Sequence, residues 1–102
     1  MATVTVYRGN AKAASITISG LSSLDGYEAH LVVVDEDGEE QFDVTGSISG
    51  LDITFNTTTT HNYLTGDTHY FYEVYITNGT LTYTVDKGLW FIEVTHVDHD
   101  PT

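Results

Sequence analysis

The chain has 102 residues, with 3 Lys and Arg against 15 Asp and Glu, for a formal net charge of −12. That length encloses one core and fits a single domain, and 40% hydrophobic residues is too many for a charge-driven disordered chain. The acidic field repels phosphate backbones and anionic lipid, so nucleic acid and membranes are disfavoured as partners and a neutral or basic protein is favoured. No run approaches the ~18 apolar residues that span a bilayer. The start, Met1 to Arg8, lacks the basic-then-apolar pattern of a secretory signal, so a product made in a cytoplasm and intact from its Met is expected. Without cysteine there are no disulfides, no thiolate nucleophile and no cysteine-held zinc.

Threonine is the commonest residue, and Val, Ile, Tyr and Phe dominate the apolar set. Branched and aromatic side chains fit a pleated surface, and alternation replaces helical periodicity throughout. In chain order the expected strands are 3–8, 14–19, 28–35, 41–47, 51–56, 70–77, 80–86 and 89–96. The run Leu31-Val32-Val33-Val34 reads as a central strand buried on both sides. Asp37-Gly38 and Asn78-Gly79 predict tight hairpins, the latter with two residues, and Ser49-Gly50 and Lys87-Gly88 predict further turns. Between 57 and 67 the rhythm breaks. A connection between sheets is expected there, with a helical turn near His61 to Leu64 and Leu64 as its anchor. Eight short strands at this spacing predict an all-β, antiparallel sandwich over 1–97, followed by a tail over 98–102.

Little in the chain suggests catalysis. No Gly-x-Ser-x-Gly elbow, phosphate loop or paired histidine motif is present, and Glu73 reads as an outward strand carboxylate rather than a general base. The acidic run Asp35-Glu36-Asp37-Gly38-Glu39-Glu40 lacks calcium-loop spacing and reads as a solvated hairpin tip. His96 and His99 with Asp98 and Asp100 have the spacing of a helix face, not of a strand, and read as polar tail residues. His30 and His69 read as satisfied polar residues at a sheet edge. The sequons at Asn56 and Asn78 read as turn residues. No metal and no cofactor are therefore expected.

The aromatics are more informative. If Tyr70, Tyr72, Val74 and Ile76 face the core, together with Trp90, Ile92 and Val94, then Phe71, Tyr75, Leu89 and Phe91 point outward. Four outward apolar residues on two neighbouring strands form a candidate protein interface, unless a loop or the N-terminal strand covers them. Exposed aromatics can also stack on sugar rings. A carbohydrate- or cell-surface-binding module is thus the alternative, distinguished by saturable glycan binding that is lost with one ring.

Several segments together resemble a known module: Thr3 to Gly9 with Ala14 to Ile18, Val44 to Gly50 with Leu51 to Phe55, Leu64-Thr65-Gly66, Tyr70 to Ile76, Tyr83-Thr84-Val85 and Gly88 to Ile92. The pattern is similar to the immunoglobulin-like β-sandwich at the N-terminus of upper-baseplate proteins of tailed bacteriophages and of related tail and head-appendage proteins. The resemblance spans roughly Thr3 to Val94. It implies a non-enzymatic structural protein of a virion: a tail or baseplate adaptor, a head fibre or a capsid-decorating subunit. Other virion proteins are the implied partners, and a homo-oligomer is expected. In that family receptor binding resides in other domains, so assembly rather than host recognition is the implied role.

Overall fold

Alternation in the sequence is carried directly into burial. Along the seventh strand Tyr70, Tyr72, Val74 and Ile76 are buried, while Phe71 and Glu73 between them are exposed, as the period of two requires. The structure is a computed structural model that describes residues 2–101. Met1 and Thr102, the first residue of the expected sandwich span and the last of the expected tail, lie outside the described residues.

Among the described residues eight strands form: β1 (Ala2–Tyr7), β2 (Lys12–Thr17), β3 (Glu28–Val34), β4 (Glu40–Thr45), β5 (Ser47–Ser49), β6 (Asp52–Thr57), β7 (Thr68–Thr77) and β8 (Thr82–Glu93). A five-stranded sheet has the order β1-β8-β7-β3-β4, and a three-stranded sheet the order β2-β6-β5. The all-β sandwich expected from the sequence is thus present. One pair departs from the antiparallel expectation: β1 runs parallel to β8, with Val4 opposite Trp90. Short connections argue against parallel neighbours only for consecutive strands, and these two are the first and last of the chain.

Local differences have local causes. The expected strands 80–86 and 89–96 are one strand, because Gly88 does not turn but sits within β8 opposite Ala2 and Tyr72. Val94, beyond its end, is 51% exposed rather than core. Asn78-Gly79 is not a two-residue turn. Only Gly79 has positive φ, and the Asn78 side-chain oxygen accepts the amides of Thr80 and Leu81, which widens the loop. The helical hydrogen bond falls earlier than expected, from the Asn62 amide to the Thr58 carbonyl. Asn56 lies in β6 opposite Ala13 rather than in a turn. The chain crosses between sheets at Gly46, where a β-carbon would stand 2.6 Å from the Phe55 ring and 2.7 Å from Ile53.

Trp90, Phe55, Leu31, Ile53, Ile76, Ile92 and Val33 fill the core, each nearly inaccessible. Full burial of such a side chain contributes about 1.5–3 kcal/mol. Two polar residues are buried with them among the described residues, Thr57 and Asn62. Asn62 is fully buried; its amide nitrogen donates to the Asn10 carbonyl at 2.7 Å and to the Thr57 hydroxyl at 2.8 Å, and its oxygen accepts the Trp90 indole N–H at 3.2 Å. The β6–β7 connection is thereby fastened to the core, and Leu64 packs against it as expected. The segment after β8 is held as well. Tyr63 donates to Asp98 at 2.8 Å, and the Arg8 guanidinium lies 4.0 Å from the centre of the Tyr63 ring.

Candidate interaction face

One face of the five-stranded sheet packs on the smaller sheet; the other carries no covering layer among the described residues. Register builds that outer face row by row. Thr5, Phe91 and His69 form one row, and Thr3, Leu89, Phe71 and Val34 the next. Lys87, Glu73, Val32 and Asp43 follow, then Thr84, Tyr75, His30 and Thr45. All four residues expected outward are there. Phe71 is 37% exposed, and Tyr75, Leu89 and Phe91 are half-buried. The N-terminal strand does not cover them, since β1 pairs edge to edge with β8 in the same sheet.

The face extends further than the sequence indicated. Val32 and Val34 are half-buried, not enclosed on both sides; Val34 joins the Phe71–Leu89 row and Val32 the next, opposite Glu73. An uninterrupted apolar run cannot be told from a doubly buried strand by pattern alone, so these two went unrecognised. Together Val32, Val34, Phe71 and Tyr75 line a shallow cleft of about 420 Å³, with Glu40, Glu73 and Lys87 also lining it. His69 lies against Phe91, ring centres 4.5 Å apart.

At one end the face is polar. His30 stacks on Tyr75 with ring centres 5.1 Å apart. Its Nδ1 lies 2.9 Å from Asp43 and its Nε2 3.4 Å from Glu28. Burial alone would lower the imidazole's affinity for a proton, but the two carboxylates outweigh it and raise its pKa above the usual histidine value. Burial and the carboxylates of Asp43, Glu40, Glu28 and Glu73 push the Tyr75 phenol up. Neither His30 nor His69 is at a sheet edge, contrary to expectation: β3 and β7 are interior strands.

The other candidate groups stay apart. Asp35 uses its carboxylate within its own hairpin, accepting the amides of Asp37 and Glu39 at 2.9 Å each. Among the described residues no three His, Asp or Glu side chains converge in a metal-holding group. Glu73 faces outward and accepts the Thr84 hydroxyl.

No protein-family model and no curated protein matches the sequence. A structural likeness exists to the immunoglobulin-like domain of mouse leukocyte-associated immunoglobulin-like receptor 1, solved as a strand-swapped dimer. It has a TM-score of 0.55 at 12% identity and covers 91% of this chain and 88% of that one. The fold is immunoglobulin-like. Two further features agree. Tyr70, near the start of β7, accepts the Thr65 amide through its hydroxyl at 3.1 Å, which reproduces the tyrosine corner of such domains. Two residues on, where antibody domains carry the second cysteine of their inter-sheet disulfide, stands Tyr72, packed edge-on to Trp90. An aromatic side chain, packed on a neighbour in its own sheet, thus occupies that cysteine position.

Proposed function

We propose that this immunoglobulin-like chain is a non-enzymatic assembly module of a bacteriophage virion that docks the outer face of its larger sheet on a neutral or basic protein. The observation that carries the docking is the continuous stripe Val34, Phe71, Leu89 and Phe91 on a sheet face with no layer over it among the described residues. Apolar groups gathered into one patch on an otherwise acidic chain are the composition of an interface core with a polar rim. The virion setting is supported by the resemblance of Thr3 to Val94 to the phage module. Net charge supports the partner's sign, because an acidic subunit resists premature self-association and attracts basic surfaces.

The test is incorporation into particles. Phe91→Glu places charge on the stripe and Tyr75→Glu on the same outer face beside it, neither entering the core, so both should fold with near-parental melting temperatures. Each is expected to be absent from purified virions when expressed in place of the parent. Folded variants that enter particles normally would overturn the assignment of this face.

A further inference from the structure

The sheet edges are guarded unequally. β5 is only three residues long, and β4 presents exposed Glu40 and Asp43 next to the acidic hairpin. Short length and charge are the usual protections of a free edge. β2 has neither. It runs six residues, Lys12 to Thr17, pairs with β6 on one side only, and after Lys12 contains no charge, proline or bulge.

The same flank is open between the sheets. β1 pairs with β8 only over Gly88–Glu93, so Thr82–Lys87 have β7 on one side and no strand on the other among the described residues. Two adjoining clefts lie along this seam, sharing Ile16 and Asp86. The larger, about 320 Å³, runs along Ile16–Ser19. The smaller, about 130 Å³, leads from Ala14 and Ile16 down to Leu31, Phe55 and Trp90. In constant-type immunoglobulin sandwiches the strand order of one sheet is A-B-E-D. β2-β6-β5 corresponds to B-E-D, with no strand in the A position among the described residues.

We infer that the free edge of β2 receives an extended segment of a partner chain as a fourth strand of the smaller sheet, with one aliphatic side chain entering the cleft over Ala14 and Ile16. Unpaired N–H and C=O groups at strand spacing are matched by an extended backbone, and alternate side chains then point into the seam. A cleft of about 130 Å³ suits a side chain of valine or leucine size. A second copy is disfavoured as the occupant because it brings another −12 of charge. A neutral or basic segment carries no such penalty.

The probe is a synthetic peptide of about eight residues, alternating threonine with valine and a central leucine, with a lysine at each end. Binding is followed by NMR and amide hydrogen exchange on the intact chain, with its association state checked by sedimentation. The expected result is a monomer that binds the peptide saturably and gains protection at those β2 amides that point away from β6. Ala14→Lys, an inward charge at the edge, should weaken binding at least about tenfold, whereas Ser49→Lys on the opposite edge should leave it unchanged. A peptide with aspartate in place of its leucine should bind at least about tenfold more weakly to the parent chain, an arm that does not depend on a variant folding. Absence of β2 protection, equal binding of the aspartate peptide, or an equal effect of Ser49→Lys overturns the inference. So does a homodimer formed through β2, which would make the occupant a second copy. None of these measurements involves Phe71, Tyr75, Leu89 or Phe91, so this inference and the outer-face proposal fail separately.

Discussion

Replacing Asn62 by alanine removes four hydrogen bonds at once: those its side-chain nitrogen gives to Asn10, Thr57 and Thr58, and the one its oxygen accepts from Trp90. The Trp90 indole N–H is left buried with no acceptor, and the Asn10 carbonyl loses its 2.7 Å donor. The Thr57 hydroxyl loses a donor too, but it still gives its own hydrogen to the Lys12 carbonyl at 2.9 Å. A buried polar group without a partner costs about 1–3 kcal/mol. The indole lies fully inside, so its share is in the upper part of that range. The Asn10 carbonyl is half-buried, and water can reach part of its share. With a small cavity added, the expected loss is about 3 kcal/mol, a large fraction of the stability of a domain this size. At about 4–8 °C per kcal/mol, the melting temperature should fall by about 15 °C. Urea denaturation followed by fluorescence of the single tryptophan measures this directly. Asn62→Asp separates hydrogen bonding from cavity formation. The aspartate keeps an acceptor for Trp90 but faces the Asn10 and Thr57 oxygens without a hydrogen to give them. Its carboxyl is therefore held protonated in the fold, with a folded pKa above the unfolded value. The folded state then binds more protons, and the variant's stability should fall as pH rises from about 4 toward neutral. An alanine variant within about 0.5 kcal/mol of the parent, or an aspartate variant with the parent's pH dependence, would refute the role given to Asn62.

Gly46→Ala should destabilise by about 1–3 kcal/mol through overpacking, since its β-carbon meets Phe55 and Ile53 at 2.6 and 2.7 Å; chemical denaturation with an unchanged m-value checks this. His30→Gln tests the polar end of the outer face. The His30 pKa is raised in the fold, so its stabilisation is full below about pH 6.5 and fades as pH rises through the raised value. The parent's advantage over the variant should therefore be about 1 kcal/mol at pH 5.5 and smaller at pH 8.5, and an advantage that grows with pH would contradict the Asp43 and Glu28 pairing.

Period-two alternation made the sheet faces legible wherever a strand is regular. Phe71 and Tyr75 on β7, and Leu89 and Phe91 on β8, point outward as the pattern requires. What escaped has identifiable physical origins. A bulge in β8 opposite Val74 and Tyr75 shifts the register so that Asp86 pairs with Val74 and Thr84 with Tyr75; a single extra residue inverts the in-out reading beyond it. Gly88 carries no local mark that separates a strand glycine from a turn glycine, and only its β1 and β7 neighbours decide the matter. The pairing of β1 with β8 joins the two ends of the chain and leaves no short-range trace. Asn62 sits in a polar stretch, Thr57 to Asn62, whose composition suggests a solvated loop. Its burial follows from Trp90, 28 residues later, whose indole N–H needs an acceptor inside the core. In the outer face, Val32 and Val34 were hidden by the uniform apolarity of Leu31 to Val34, and their half-exposure follows from β3 lying in the sheet that has one free face.

Charge placement connects the two proposed surfaces. A chain shaped for solubility alone gains by guarding every exposed edge and every apolar patch. Here the guards are concentrated on the β3–β4 hairpin and on β4, where Glu36, Asp37, Glu39, Glu40 and Asp43 are all exposed. β2 itself and the row Thr3, Leu89, Phe71 and Val34 carry no acidic residue; beside β2 stand only Asp52, which accepts the Thr17 hydroxyl, and Asp86 in the clefts. Like charges at β4 oppose edge-to-edge pairing of two copies there, so growth of a continuous sheet from copy to copy is blocked on that flank. The β2 edge belongs to the smaller sheet and the aromatic stripe to the far side of the larger one. A neighbour on either leaves the other free. On the proposed reading, one copy can therefore join two different partners while its acidic flank keeps copies from polymerising with each other, which is the directional valence a subunit of a closed particle needs.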